Sequence, residues 1–147
     1  MSVPKIIIHA DVLLDHLRPH EQRKPSVLRV AMGKFFCYTT VFQAIELFSV
    51  AKDPEEIQLL DDSMSAMKIL GLNPKNAKVY GSLLSARGKK NPLEILTAGL
   101  CLESRLPILT ARRTMRNIPG VVVVPPALVR SHNSGHEILR ALTKAKV

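Results

Sequence analysis

Apolar and polar positions change period repeatedly along the chain, and the first change is the sharpest. Ile6-Ile7-Ile8 is a β-branched run, apolar on both faces, that stops at His9-Ala10-Asp11 and becomes the helical pattern Val12-Leu13-Leu14-Asp15-His16-Leu17. This predicts a buried parallel strand over Lys5–His9 and a helix over Asp11–Arg18. A polar link, Pro19 to Lys24, precedes a short helix opened by Pro25-Ser26 and ending near Met32. Phe35-Phe36-Cys37-Tyr38 predicts a second strand, and Thr39 or Thr40 supplies a cap for a helix over Val41–Ala51. Asp53-Pro54-Glu55-Glu56 joins a cap, a first-turn proline and two acids at the positive end of the helix dipole, so a helix runs to about Met67. Ile69-Leu70-Gly71-Leu72 is too short to assign. Helices follow over Pro74–Arg87, broken by Gly88, and over Pro92–Ser104, whose small and apolar residues mark it as buried. Leu106–Thr110 and Val121–Val124 read as strands, with a helical turn at Arg112–Asn117 between them. Pro125-Pro126 ends the last strand, and a final helix spans about His136–Lys144.

Strands alternating with helices, two of them apolar on both faces, describe an α/β fold with a central parallel sheet flanked by helices. A chain of 147 residues suits one domain, with a core over about 5–125 and a C-terminal extension, carrying a short helix, over about 126–147. Hydrophobic residues make up 46%, which excludes a disordered chain. No stretch reaches the roughly 18 apolar residues that span a bilayer. The opening Met1-Ser2-Val3-Pro4-Lys5 lacks a signal-peptide layout. Cys37 and Cys101 are far apart and embedded in apolar sequence, as reduced core thiols of a cytoplasmic protein would be.

Charge is unevenly placed. Residues 1–86 hold 10 Lys/Arg against 9 acids, whereas residues 87–147 hold 11 against 3, out of a net +9. A basic half points to a polyanionic partner such as RNA or DNA, with solubility or pairing with an acidic protein segment as the alternative. Only 4% of residues are aromatic and none is Trp, so phosphate contacts rather than base stacking would carry the binding.

Three acids stand at or inside apolar helix starts beside strands. Glu46 is the only charge between Lys34 and Lys52, Glu94 the only charge between Lys90 and Glu103, and Asp11 follows the first strand. A lone carboxylate in apolar sequence is costly to bury unless it meets a cation or donors. Taken singly, each reads as reaching solvent or pairing with Arg. Taken together at strand ends, they read as a shared site for Mg²⁺ or Mn²⁺, which favour oxygen ligands.

With these segments the chain resembles the PIN domains, which include the toxin ribonucleases of VapBC toxin–antitoxin pairs. The resemblance runs from Lys5 to about Pro125 and rests on Ile6–Asp15, on Thr40–Leu47 ending in Glu46-Leu47, and on Glu94–Thr110. It implies a three-layer sandwich, acids that bind Mg²⁺ or Mn²⁺ and cut RNA, an antitoxin-like partner, and a homodimer. Asp11, Glu46 and Glu94 would be the catalytic metal ligands, with His9 an additional candidate. Arg112, Arg113, Arg116, Lys89 and Lys90 would grip RNA phosphates.

The match departs from the family pattern at named places. Aligned on Val12-Leu13, the family's strand-tip Asp falls on His9, and its usual Ser or Asn falls on Asp11. The third acid, usually Asp, is Glu94, and a fourth acidic or amide position is Arg112. A strand extended through residue 11 would put His9 and Asp11 on one face, whereas a helix starting at Ala10 would make them diverge. Two readings follow: a weakened metal-dependent endoribonuclease, or a PIN-like module that has lost catalysis and holds RNA or a protein partner. Arg112 paired with Glu94 or Glu46 is the alternative to Arg112 on phosphate. The spacings His16/His20 and His132/His136 could suit zinc, but a proline interrupts the first and a Ser-Gly loop the second, so they read as surface histidines. No Gly-x-Ser-x-Gly elbow supports a hydrolase triad.

Overall fold

In the computed structural model, which describes residues 3–18, 24–87 and 91–145, the isoleucine run forms β1 (Lys5–Ile8), the middle strand of a five-stranded sheet. Side chains alternate across a strand, so Ile6 and Ile8 enter one core and Ile7 the other, all three fully buried. Helices on both faces explain why the run carries no polar residue. The other strands are β2 (Phe36–Thr40), β3 (Lys68–Leu70), β4 (Ile108–Leu109) and β5 (Val123–Val124), all parallel, in the order β3-β2-β1-β4-β5. The chain builds outward from β1 to one edge, then returns to build toward the other. The order therefore reverses between β1 and β4, and such a reversal opens a crevice at the carboxyl ends of the two strands.

The larger core lies under α1 (Ala10–Leu17), α2 (Val27–Met32), α3 (Val41–Val50) and α4 (Pro54–Ser65), which contribute Leu13, Leu28, Leu47 and Leu60. On the opposite face, α6 (Pro92–Ser104) sets Ala98 and Cys101 against Ile7, Ile108 and Met115. A third cluster, Phe42, Tyr80 and Leu100, joins α3 and α6 to α5 (Ala77–Arg87). The result is a helix–sheet–helix sandwich. Cys37 and Cys101 are free thiols buried in different cores, and burial pushes each thiol up to about 12.

The caps are local and follow the sequence. Ser26, Thr40 and Asp53 each accept a hydrogen bond from a first-turn N–H, those of Arg29, Gln43 and Glu56. Glu56 returns the arrangement by accepting from the Lys52 N–H at 3.0 Å.

Three elements differ from the sequence expectation. The unassigned stretch at Ile69 is the edge strand β3, short and bearing an exposed lysine, which suits an edge. The strand at Leu106–Thr110 is regular only over Ile108–Leu109, although the Ile7 N–H still donates to the Pro107 carbonyl at 2.8 Å. Pro125-Pro126 not only ends β5 but starts a helix, α7 (Pro126–Ser131), because proline suits the first helical position. Together with α8 (Gly135–Ala145), α7 adds Val129 and Ile138 to the larger core.

Lys34 ties this C-terminal pair to the body. Its ammonium donates to the carbonyls of Val129 at 2.7 Å and His132, satisfying groups that the end of α7 leaves open. Lys34→Met should cost about 1–3 kcal/mol of unfolding free energy in denaturant titration. Amide hydrogen exchange should rise first in α7 and α8.

Candidate functional site

The crevice between β1 and β4 is closed by side chains from both strand ends. His9 is the N-cap of α1, 1% exposed, and its Nδ1 lies 3.2 Å from the Asp11 N–H and 3.0 Å from Asp11 Oδ1. One ring nitrogen cannot accept from the first and donate to the second. In the tautomer with a bare Nδ1 the ring caps the Asp11 N–H, and with a proton on Nδ1 it donates to the carboxylate. The helix does begin at Ala10, yet His9 and Asp11 meet. The expected divergence fails because a cap side chain folds back toward the first-turn N–H groups.

Asp11 points across the crevice. The Thr110 hydroxyl, just beyond β4, donates to both carboxylate oxygens at 3.1 Å, and the Ala111 N–H donates to Oδ2 at 2.8 Å. Thr110 Oγ1 in turn accepts from the Arg112 N–H at 3.0 Å. Desolvation by burial pushes the Asp11 carboxyl up. The hydrogen bonds from His9, Ala111 and Thr110, with the electrostatic effect of the ring, outweigh it and hold the carboxyl below its ordinary value.

Glu94 reaches the same place from the first turn of α6, where the dipole favours an anion. It is 8% exposed. Its Oε1 accepts from the Thr114 hydroxyl at 2.7 Å and lies 4.0 Å from both His9 Nε2 and Arg112 Nη1. His9 Nε2 is buried with no hydrogen-bond partner. Of the two pairings open to Arg112 on sequence grounds, the structure holds the one with Glu94.

Among the described residues Glu46 forms no group with these side chains that could hold a metal ion. It lies half-buried on α3, while Gln43, one turn earlier on the same helix, occupies the contact position. Gln43 is fully buried; its Oε1 accepts from the Ala10 N–H at 2.5 Å and its Nε2 donates to Thr97 Oγ1 at 2.8 Å. Gln43, Thr97 and Thr114 were missed by sequence reasoning. The one available signal was an amide isolated in Val41-Phe42-Gln43-Ala44-Ile45.

A divalent cation does not fit this arrangement. Among the described residues no three His, Cys, Asp or Glu side chains are grouped to hold a metal ion. Asp11 accepts from donors of the protein, and Glu94 faces a guanidinium. His9 turns Nδ1 toward Asp11 and leaves Nε2 buried 4.0 Å from Glu94 Oε1.

Arg112, Arg113 and Arg116 are exposed on and beside the 3-10 turn Arg113–Asn117 that follows β4. Lys89 and Lys90 lie outside the described residues, as does His20. Among the described residues no helix is long and apolar enough to cross a membrane.

The chain has the PIN-like α/β fold of VapC- and FitB-type toxins. A VapBC2 structure from Rickettsia felis, bound to a promoter DNA fragment, superposes with a TM-score of 0.67 at 15% identity, covering 82% of this chain and 98% of that one. DNA-bound VapBC from Salmonella typhimurium gives 0.66 at 16% identity, covering 84% and 98%. FitAcB from Neisseria gonorrhoeae gives 0.61 at 17% identity, covering 83% and 98%. No family model matches the sequence, and no curated protein matches it.

The depressed Asp11 carboxyl fixes the sign of a pH effect. A group whose folded pKa lies below its unfolded value of about 3.9 stabilises the fold above that value and loses the contribution as pH falls through the folded pKa. Asp11→Ala should therefore cost about 1–3 kcal/mol at neutral pH. It should also flatten the fall of stability below about pH 4. Thermal melts from neutral pH down to about pH 2 check both.

Proposed function

We propose that the chain is a PIN-type RNA-binding module of the toxin–antitoxin kind, which engages phosphates through Arg112, Arg113 and Arg116 and does not cleave RNA by divalent-metal catalysis. The observation that carries this reading is the Glu94–Arg112 juxtaposition. At the carboxyl end of β4, a buried carboxylate lies 4.0 Å from a guanidinium that is itself 43% exposed. The positive charge of the site is thus supplied by a side chain that also faces solvent, beside two further exposed arginines.

The alternative, a metal-dependent endoribonuclease using Asp11, Glu46 and Glu94 with Mg²⁺ or Mn²⁺, has the fold in its favour and the arrangement of its acids against it. The structural neighbours are toxin–antitoxin complexes, which supports a small antitoxin-like protein as a second partner. A homodimer would bring two basic turns onto one RNA.

Arginine contacts to phosphate release counterions, so affinity should fall steeply with salt. The triple substitution of Arg112, Arg113 and Arg116 to Ala should weaken binding to a generic single-stranded RNA and lower the salt slope by about 2–3. Fluorescence anisotropy across a salt series measures both. Incubation of that RNA with millimolar Mn²⁺ should give no cleavage by the wild-type chain above the level of Glu94→Gln. Cleavage lost in Glu94→Gln would restore the nuclease reading.

A further inference from the structure

We infer that His9 and Arg112 take the place of a metal ion in the strand-tip site: the imidazole fills the space between the Asp11 and Glu94 carboxylates, and the guanidinium supplies the positive charge. This deepens the reading above, and its test needs no RNA.

Two carboxylates converge on one ring. Asp11 Oδ1 stands 3.0 Å from Nδ1 and Glu94 Oε1 stands 4.0 Å from Nε2, with the ring 1% exposed between them. The space between two acids in the first turns of α1 and α6 is where a hard cation would collect oxygen ligands. Here it is filled by carbon and nitrogen atoms held by the cap of α1.

The charge is also accounted for within the chain. A buried carboxylate needs a cation or several donors. Asp11 has the Thr110 hydroxyl, the Ala111 N–H and the His9 ring. Glu94 has one hydroxyl, that of Thr114, the positive end of α6, and Arg112. A divalent ion at Glu94 Oε1 would be repelled by the guanidinium already there. It would also have to compete with the Thr114 hydroxyl for the same oxygen.

The same geometry names the substitutions that would make the site accept a cation. His9→Asp keeps a residue able to cap α1, empties the space of the ring and adds a third carboxylate. Arg112→Met removes the competing charge and keeps the stem.

The test is thermal melting and Mn²⁺ titration calorimetry on the full chain, in EDTA and in millimolar Mn²⁺, without RNA. The wild-type melting temperature should be the same in both. The His9→Asp/Arg112→Met variant should be stabilised by Mn²⁺ and bind it at least about tenfold more tightly than wild type. Wild-type stabilisation by Mn²⁺ that disappears in Glu94→Gln would overturn the inference, and so would a folded double variant indifferent to Mn²⁺.

A second measurement stands if the double variant does not fold. Arg112→Met alone should lower the melting temperature, and adding Glu94→Gln should recover part of the loss, because the carboxylate is what needs the cation. Arg112→Met/Glu94→Gln no more stable than Arg112→Met would overturn the counter-charge role. Loss of RNA binding with these metal results intact would instead count against the RNA reading alone.

Discussion

The carboxylate of Asp11 spans the one gap that the sheet cannot close by itself. A parallel sheet whose order reverses between β1 and β4 leaves two strand ends side by side, each with backbone groups beyond the ladder. Asp11 accepts from the Ala111 N–H and the Thr110 hydroxyl on the β4 side while belonging to the first turn of α1 on the β1 side. Gln43 acts similarly one layer away, taking the Ala10 N–H and giving to Thr97, so that α3 and α6 are tied to the start of α1. The crevice is thereby a network of satisfied polar groups. His9 Nε2 is the buried side-chain atom in it that lacks a partner.

The fold was legible where the pattern has a strong physical cause. A β-branched run apolar on both faces must be covered twice, and Ile6-Ile7-Ile8 is covered twice. Proline, aspartate and serine at helix starts announced α2 and α4 because capping is local chemistry. β3 was illegible because three residues at an exposed edge need no apolar alternation. α7 was hidden because the prolines that stop a strand and the proline that starts a helix are the same letters.

The site was legible in part, for a different reason. His9 and Asp11 follow the end of β1 in sequence, Glu94 opens α6, and the topology brings them together. Side-chain direction is not in the spacing. Whether His9 and Asp11 meet depends on cap geometry, and whether α3 offers Gln43 or Glu46 to the crevice depends on the helix's rotation on the sheet. The acid opposite Arg112 could be named from sequence as one of two, Glu94 or Glu46, but only packing selects it.

Arg112 marks the boundary between interior and surface. Its backbone N–H is held by Thr110 and its guanidinium faces Glu94, yet the side chain is 43% exposed. An RNA phosphate arriving there would meet a positive group already fixed in place, so little ordering cost would fall on binding. Arginine–phosphate contacts fix register without reading bases. Aromatic stacking would be the usual supplement on single strands. The aromatic pair here, Phe36 and Tyr38, with rings tilted by 49°, runs from the amino end of β2, whereas the basic turn follows the carboxyl end of β4. If the proposed RNA binding holds, selectivity would have to come from the shape of the crevice or from a bound partner, rather than from base stacking.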